Sequence, residues 1–372
     1  MRRIALVVPG GVDRSGEYRV IPALLALIER LSAHNDVHVF ALKQESEPGG
    51  WDLAGARVHN IGARRTRMRA VRAIVALHRS SPFDVVHAIW SGPCGEVAVA
   101  VARILGIPSL VHVAGGELVA LREIGYGGRL NWRGRLREAL VLRAASGVTA
   151  ASQAMIQSLA RLGVPAQRLP LGVDLSSWPT RDPVPRDIGR PARLIQIASL
   201  NLVKDQSTLL RALTALRAQR VEFEMDVVGD DTLHGEIQSL AEQMGLSGII
   251  RFRGFLTQRQ LRPVVEAADL MIISSRHEAG PLALLEAAVA GVPTVGTAVG
   301  HIAEWAPQAA LAVPIGDSSA LAAAIRRLLY DEELRLSIAR QALRRAARED
   351  ADYTAEQFQQ LYSTLPAGRR VA

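Results

Sequence analysis

The sequence contains one cysteine, Cys94, and aromatic residues amount to only 4% of its 372 residues. A single cysteine excludes an intrachain disulfide and a thiolate metal cluster, and it fits a reducing, cytoplasmic compartment. The scarcity of aromatic side chains leaves the basic stretches without the stacking platforms that single-stranded nucleic acids need. We therefore expect no nucleic-acid partner, although the net charge is +8.

The sequence also has few long apolar runs. The uncharged stretch Ala287–Ala303 is interrupted by one proline and three glycines, which are typical of turns, so it predicts no membrane-spanning helix. The apolar segment Ile4–Val8 is short for a signal peptide, and glycines follow it in place of a cleavage site. We therefore predict a cytoplasmic protein without a signal peptide.

The two halves of the chain differ in charge. Residues 1–175 contain 22 Lys and Arg against 13 Asp and Glu, whereas residues 176–372 contain 22 against 23. The basic half contains two arginine clusters, which are Arg64, Arg65, Arg67, Arg69 and Arg72, and then Arg129, Arg133, Arg135 and Arg137. Such clusters are typical of solvated helix faces, and they also fit peripheral contact with the anionic inner face of a membrane, so both interpretations stay open.

Short apolar segments alternate with helix-like segments along the chain. This alternation predicts an α/β fold with parallel sheets and helices on both faces. The predicted strands are Ile4–Val8, Val37–Leu42, Asp84–Ala88, Ser109–Val113 and Gly147–Ala150, followed after a gap by Leu194–Ala198, Glu224–Val228, Ile249–Arg253, Leu270–Ile273 and Thr294–Gly296.

The gap between the two series is rich in proline, and a chain of this length exceeds one ordinary core. We therefore predict two Rossmann-like, doubly wound domains over 1–172 and 191–348, joined by a linker over 173–190. A final segment over 349–372, with a helix at Thr354–Ser363, is predicted to cross back to the first domain. Ligands of such sheets bind beyond the carboxyl ends of the strands, so we expect the domains to face each other across a cleft.

The segment Ser274–Ala287 carries the clearest chemical signal. It follows an apolar strand and opens a helix, with Pro281 predicted at the first helical position. The free amides of that first turn predict an anion site. Glu286 lies in an otherwise apolar helix, where an acid is unfavourable unless it is paired or binds a ligand. The alternative is that Glu278 only stabilises the helix dipole and Glu286 lies on a solvated face.

These motifs resemble those of the family-four (group 1) glycosyltransferases, which have the GT-B fold. The family signature is two glutamates separated by seven residues, and Glu278 and Glu286 have this spacing. Further short motifs follow the family order over nearly the whole chain. They are Asp84-Val85-Val86-His87, Leu171-Gly172-Val173-Asp174, Val227-Val228-Gly229-Asp230, Arg251-Phe252-Arg253-Gly254 and Pro314-Ile315-Gly316-Asp317.

The resemblance implies transfer of a sugar from a nucleoside-diphosphate sugar to a glycan or lipid-linked acceptor, with retention of anomeric configuration. It implies no cofactor other than this co-substrate. Glu286 would bind the ribose hydroxyls, Glu278 the donor sugar and Lys204 the phosphate. Other implied donor contacts are backbone amides and close glycine approaches, at Gly280, Leu282, Ala283, Gly11 and Gly16.

Two positions depart from the family pattern. The arginine expected five residues before the lysine is Ser199, so the second phosphate cation must be another residue, with Arg14 and Arg276 as candidates. The expected histidine of an N-terminal His-Gly-x-Asp motif is Ala114. His112 lies two residues earlier on the same strand face and is the remaining candidate for a catalytic histidine.

A nicotinamide oxidoreductase is excluded because the first loop lacks the Gly-x-Gly-x-x-Gly spacing and the second strand ends without an acid. A sugar-nucleotide epimerase or phosphorylase of the same fold stays open, as does a non-catalytic nucleotide-sugar-binding subunit. No histidine pair has metal-ligand spacing, and Asp350 and Asp352 fit helix capping, so we predict no metal site.

Overall fold

The computed structural model describes residues 1–366. These residues form two compact units. The N-terminal unit comprises Met1–Asp174 and the segment that begins at Ala351, and the C-terminal unit comprises Leu175–Asp350. The last six residues of the predicted segment 349–372 lie outside the described residues.

Helices follow most of the strands, as an α/β fold requires. A short 3₁₀ helix lies at Arg122–Ile124. The α-helices are α1 (Pro22–Ser32), α2 (Thr66–Ser80), α3 (Pro93–Leu105), α4 (Trp132–Ala144), α5 (Gln153–Arg161), α6 (Gln206–Ala218), α7 (Glu236–Gln243), α8 (Gln258–Glu266), α9 (Leu282–Val289), α10 (Gly300–Trp305), α11 (Ser318–Tyr330), α12 (Glu332–Arg348) and α13 (Ala351–Thr364).

An eight-stranded sheet forms the centre of the N-terminal unit. Its strands are β1 (Arg3–Val8), β2 (Asp36–Ala41), β3 (Gly49–Leu53), β4 (Ala56–Asn60), β5 (Val85–Ile89), β6 (Ser109–Val113), β7 (Gly147–Ala150) and β8 (Gln167–Arg168), in the order β3-β4-β2-β1-β5-β6-β7-β8. The pairs are parallel except β3 with β4. The parallel α/β prediction is confirmed for this unit, and the antiparallel hairpin at its edge is an addition to it.

A six-stranded parallel sheet forms the centre of the C-terminal unit and confirms the second doubly wound domain. Its strands are β9 (Ala192–Ile197), β10 (Phe223–Val228), β11 (Ile250–Gly254), β12 (Leu270–Ile273), β13 (Thr294–Thr297) and β14 (Leu311–Val313), in the order β11-β10-β9-β12-β13-β14. Strands β9, β10 and β11 follow one another toward one edge of the sheet, and strands β12, β13 and β14 follow one another toward the other edge, with β12 beside β9. The strand order therefore reverses between β9 and β12, which is where such sheets bind ligands.

Much of the segment predicted as a linker packs within the C-terminal unit. The amide of Arg181 donates to the Val289 carbonyl at 2.8 Å, and Arg335 Nη2 donates to the Val184 carbonyl at 2.6 Å. Both partners belong to helices of that unit, α9 and α12. Proline content therefore indicated an irregular segment, and hydrogen bonds to these helices hold it in place.

The last helix, α13, packs against α1 in the N-terminal unit. Thr354 Oγ1 donates to the Pro170 carbonyl and accepts from the Gly172 amide, both at 2.9 Å. At the outer edge of the helix Asp352 forms an ion pair with Arg30, which also holds Asp174. One buried hydroxyl thus ties α13 to the chain that follows β8.

Replacing Thr354 with valine should lower the free energy of unfolding by about 1–3 kcal/mol, because a buried amide and a buried carbonyl lose their partner. Urea unfolding monitored by circular dichroism measures this change. Thr354→Ser keeps the hydroxyl and should restore most of the loss. Equal unfolding midpoints for the valine variant and the parent protein would show that the two bonds contribute nothing.

Candidate active site

The candidate active site of the C-terminal unit lies at the carboxyl ends of β9 and β12. Ser274, which follows β12, donates from Oγ to the Lys204 carbonyl at 2.8 Å, and Gln196 on β9 donates to the same Oγ at 2.9 Å. The Arg276 amide donates to the Val203 carbonyl at 2.7 Å. These bonds fix the loop after β12 against the loop after β9, at the point where the strand order reverses.

Lys204 and Glu278 form an ion pair across these two loops. Lys204 Nζ lies 2.6 Å from Glu278 Oε1, and Ser275 Oγ donates to the same oxygen at 2.6 Å. Both charged side chains keep some exposure, 24% for Lys204 and 11% for Glu278. The two residues predicted to contact phosphate and donor sugar are therefore adjacent, and each retains access to solvent.

A second cation, Arg276, lies on the same pair of loops. Its Nε is 3.2 Å from Asp205 Oδ2, and Asp205 caps the N-terminus of α6 by accepting from the Thr208 amide. The other candidate cation, Arg14, is in the N-terminal unit, where it pairs with Glu45 at 2.9 Å. Of the two, Arg276 is the one that shares its loops with Lys204.

Helix α9 begins one residue later than predicted. Pro281 is the N-cap residue, with extended backbone angles, and Leu282 is the first helical residue. Proline has no side-chain oxygen to cap the first turn, and no side-chain cap bond is made there. The amides of Leu282 and Ala283 belong to this turn, where helix geometry leaves amides without an intrahelical acceptor and favours anions.

The loop that leads into α9 passes very close to Gly300. A Cβ atom at this position would lie 2.9 Å from the Glu278 carbonyl oxygen, and the φ angle of Gly300 is +48°. Any larger residue would push the loop away and strain the backbone. Gly300 thus helps to set the position of Glu278.

Glu286 is almost completely buried, with 5% exposure, in the second turn of α9. Burial raises the pKa of its carboxyl to about 7, and a hydrogen bond from the Gln258 side chain partly opposes this shift. Gln258 in turn accepts from Trp178 Nε1. The solvated-face alternative for Glu286 is wrong, because this acid lies in the interior with an amide as its hydrogen-bond partner.

In the N-terminal unit, the predicted glycine loop follows β1. Gly11 and Gly16 have φ angles of +79° and +69°. A Cβ atom on Gly11 would lie 2.6 Å from the Ile21 side chain, so the loop needs glycine there to pass the start of α1. The role of these glycines toward a diphosphate stays a prediction.

His112 is fully buried on β6. Its Nδ1 lies 2.9 Å from Thr149 Oγ1, and its ring packs edge-on against Phe358 with ring centroids 5.5 Å apart. Burial lowers the pKa of the imidazole to about 3, so it is neutral at physiological pH. This packing favours a structural role, and the predicted catalytic role of His112 has no support in the geometry.

A large, mainly apolar cavity of about 950 Å³ lies in the N-terminal unit, at the carboxyl ends of β1, β2 and β5. This cavity was not predicted from the sequence, because its walls come from six separate segments. Its apolar walls include Pro9, Ile21, Leu42, Met68, Trp90 and Pro93, and its charged residues are Lys43, Arg65, Arg67 and Glu117.

Two cavity residues have unusual environments. Trp90 has a φ angle of +73°, which bulky residues rarely adopt. Residues with such backbone angles are most common at functional sites. The Glu117 carboxylate accepts from the Gly115 amide at 2.6 Å and the Ser91 amide at 3.2 Å, while burial raises the pKa of this acid. Glu117 ends the Ala114–Glu117 segment that stands in place of the family's His-Gly-x-Asp motif.

Two doubly wound units, with a lysine, a helix N-terminus and a glutamate pair at one switch point, define a GT-B glycosyltransferase scaffold. The chain belongs to the group 1 glycosyltransferases. Residues 182–347 match the family "Glycosyl transferases group 1", and residues 20–172 match a "Glycosyl transferase 4-like domain". The resemblance drawn from Glu278 and Glu286 is thereby confirmed.

Curated relatives have several different activities. The chain is 32% identical over 198 residues to a D-inositol 3-phosphate glycosyltransferase of Corynebacterium jeikeium, an alignment that covers 50% of this chain and 47% of that protein. It is 26% identical over 350 residues to a glycogen synthase of Mycobacterium tuberculosis, covering 91% and 81%. The chain thus spans about half the length of the first relative.

Solved structures share the fold across nearly the whole chain. A sucrose-phosphate synthase of Thermosynechococcus elongatus superimposes with a TM-score of 0.80 at 21% identity, covering 98% of this chain and 99% of that one. The Anabaena protein HepE, solved with UDP and glucose, has a TM-score of 0.74 at 19% identity, covering 98% and 100%. At these identities the likeness establishes the fold.

Two features are absent from residues 1–366. No helix there is long and apolar enough to span a membrane. No group of three His, Cys, Asp or Glu side chains there is placed to hold a metal ion.

Proposed function

We propose that the protein transfers a hexosyl group from a nucleoside-diphosphate sugar to a glycan or lipid-linked acceptor, with retention of anomeric configuration and without a bound metal. The observation that carries the proposal is the Lys204–Glu278 pair at the switch point, beside the N-terminus of α9. Departure of a nucleoside diphosphate builds negative charge on its terminal phosphate. A lysine and a helix N-terminus stabilise such charge.

The donor is held in the C-terminal unit. Glu286 accepts hydrogen bonds from the ribose hydroxyls, and the amides of Leu282 and Ala283 bind the distal phosphate. When the phosphate arrives it competes with Glu278 for Lys204, so Glu278 is released toward the hydroxyls of the sugar. Ser275 keeps its hydrogen bond to the Glu278 carboxylate during this exchange and limits its movement.

The bond from the anomeric carbon to the diphosphate breaks while the bond to the acceptor oxygen forms on the same face of the sugar. The leaving phosphate accepts the acceptor's proton, so the reaction needs no histidine base. Arg276 supplies the second positive charge that Ser199 cannot. Its guanidinium is oriented by Asp205, on the loop that carries Lys204.

The acceptor site is the cavity of the N-terminal unit. Its size is at the upper end for small-molecule pockets, and its walls are mainly apolar. Trp90 offers a face for a sugar ring or an apolar chain, while Lys43, Arg65 and Arg67 suit a phosphate. These features support an acceptor that combines a glycan or phosphate with an apolar group.

The donor can be identified by thermal unfolding with UDP, GDP, ADP and their sugars, all in excess EDTA. At a concentration of about 100 Kd, the matching nucleotide should raise the Tm by about 5–10 °C. If none of them shifts the Tm in EDTA, but one does once Mg²⁺ is added, the metal-free proposal is wrong. If none shifts it under either condition, the donor site is wrong.

Release of nucleoside diphosphate in the presence of acceptor separates an enzyme from a subunit that only binds. Phosphoglycolipids and soluble oligosaccharides should be compared as acceptors, and the anomeric configuration of the product read by nuclear magnetic resonance. Binding of the donor without release for any acceptor would favour the non-catalytic alternative. An inverted product would contradict retention.

A further inference from the structure

Helix α4 has an exposed apolar stripe on its outer face. Trp132, Leu136 and Leu140 follow one another at intervals of four residues, which places them in one row along the helix. Their exposed fractions are 62%, 51% and 60%. Three large apolar side chains in one exposed row are unusual on a soluble surface and mark an interaction site.

The opposite face of α4 packs into the N-terminal unit. Glu138, Val141 and Leu142 are buried there, and Ser91 Oγ donates to the Glu138 carboxyl. Glu138 is the one acid of this helix, and its burial removes it from the outer surface. The apolar stripe therefore lies opposite the packed face, and the outer surface of α4 has no acidic residue.

Arginines flank the stripe on both sides. At 100° per residue, Arg133 and Arg137 lie on one side of the row and Arg135 on the other, while Arg143 lies near its C-terminal end. All four are exposed. The outer face of α4 thus combines an apolar centre with a positively charged border.

We propose that α4 lies in the plane of an anionic bilayer surface, with Trp132, Leu136 and Leu140 inserted among the lipids and the flanking arginines at the phosphate level. An apolar row bordered by cations is the pattern of helices that bind in this way. Tryptophan favours the interface because its ring is apolar and its N–H is polar. A second copy of the chain fits less well, because pairing two stripes would bring arginine borders together without acids between them.

Arg67 and Arg137 both lie against the Glu96 carboxylate, which places the outer face of α4 next to the cavity. Arg67 Nε lies 2.9 Å from Glu96 Oε2, and Arg137 Nη1 lies 3.9 Å from Glu96 Oε1. Arg67 also lines the cavity. A bilayer against α4 would therefore lie near the cavity proposed to bind an amphiphilic acceptor. Binding of α4 to a bilayer does not depend on the proposed glycosyl transfer.

The test is flotation of the full chain with vesicles of phosphatidylcholine, alone or with about one third phosphatidylglycerol. Binding should require the anionic lipid and weaken as salt is raised. Changing Trp132, Leu136 and Leu140 together to glutamine should lower the partition coefficient on the order of a hundredfold. Brominated phosphatidylcholine in the anionic vesicles should quench tryptophan fluorescence in the parent protein, and the quenching should fall in Trp132→Phe.

The matched control changes Val184 and Ile188 to glutamine, because these side chains are also exposed, at 67% and 85%. This variant should float like the parent protein. Circular dichroism should show that the α4 variant keeps its fold. The proposal is overturned if the α4 variant floats as well as the control. It is also overturned if flotation is lost only when the cluster of Arg64, Arg65, Arg67, Arg69 and Arg72 is changed to glutamine, or if the α4 variant abolishes a dimer that the parent protein forms in sedimentation.

Discussion

Replacing Lys204 with alanine should lower kcat by about 10²- to 10³-fold. The ammonium group opposes charge that grows on the leaving phosphate, so its contribution is larger in the transition state than in the bound donor. The donor Kd should therefore change much less than kcat. Single-turnover kinetics with the donor identified by thermal unfolding, together with calorimetric titration of the donor, separate the two effects.

Loss of Lys204 should not displace Glu278 far from its position, because a second residue also holds its carboxylate. Ser275 Oγ also donates to Glu278 Oε1, so the carboxylate keeps one anchor when the lysine is removed. Glu278→Gln should weaken sugar recognition and raise KM more than it lowers kcat. Arg340→Ala, an exposed change on α12, should leave both constants as they are. If the Lys204→Ala variant kept the parental kcat, the leaving phosphate would not bind at Lys204 and the proposed donor site would be wrong.

The sequence was sufficient for most of the fold, because parallel strands buried on both faces are continuous apolar runs. Strand β1 is such a run, since five of its six residues are buried. The hairpin of β3 and β4 was missed because its strands are short and polar, and its two-residue turn is Ala54-Gly55, where an alanine takes a φ of +49°. That turn lacks the Asn-Gly or Asp-Gly signal that identifies hairpins.

Helix α12 was missed although its signals are present. Asp331 caps the helix by accepting from the Leu334 amide, Glu332 and Glu333 fill the first turn, and arginines fill the last. In the structure Arg335 is 3% exposed and donates to the carbonyls of Val184 and Asp269, a use of arginine that composition cannot indicate.

The sequence pattern by itself indicated the part of the candidate site whose residues are close together in sequence, whereas Lys204 was predicted from the family resemblance. Glu278, the α9 N-terminus and Glu286 form one local motif, whereas Gln258 reaches Glu286 from a distant segment and is itself held by Trp178. The positive φ of Trp90 likewise depends on tertiary packing. Spacing could indicate which residues carry the chemistry, and the fold was needed to identify the side chains that hold them.

Replacing Glu286 with glutamine should weaken nucleotide binding and stabilise the ligand-free protein at alkaline pH. The ionised carboxylate accepts hydrogen bonds from both ribose hydroxyls, whereas the amide has one acceptor oxygen. Loss of one such bond costs about 1–3 kcal/mol, so the Kd of the nucleotide should rise about 5- to 150-fold. Calorimetric titration of the nucleotide at pH 8 measures this change.

The stability effect has the opposite sign because the acid is buried. Its folded pKa is about 7, and an unfolded glutamate titrates near 4.3. Between these pH values the folded protein keeps a proton that the unfolded chain has released. The free energy of unfolding therefore falls as the pH rises from about 4 to 7, by up to about 3 kcal/mol. Glutamine does not titrate, so Glu286→Gln should remove this loss.

Glu138→Gln provides a matched control for this prediction. Burial also raises the pKa of Glu138 to about 7, but this residue lies on α4 in the N-terminal unit. Both variants should flatten the fall of stability between pH 5 and about 8, measured by urea unfolding, and only Glu286→Gln should raise the Kd of the nucleotide. Because the two changes are chemically identical, a difference in affinity reports contact with the ligand. Equal affinities for the two variants would place the ribose away from Glu286, even if both proteins became more stable.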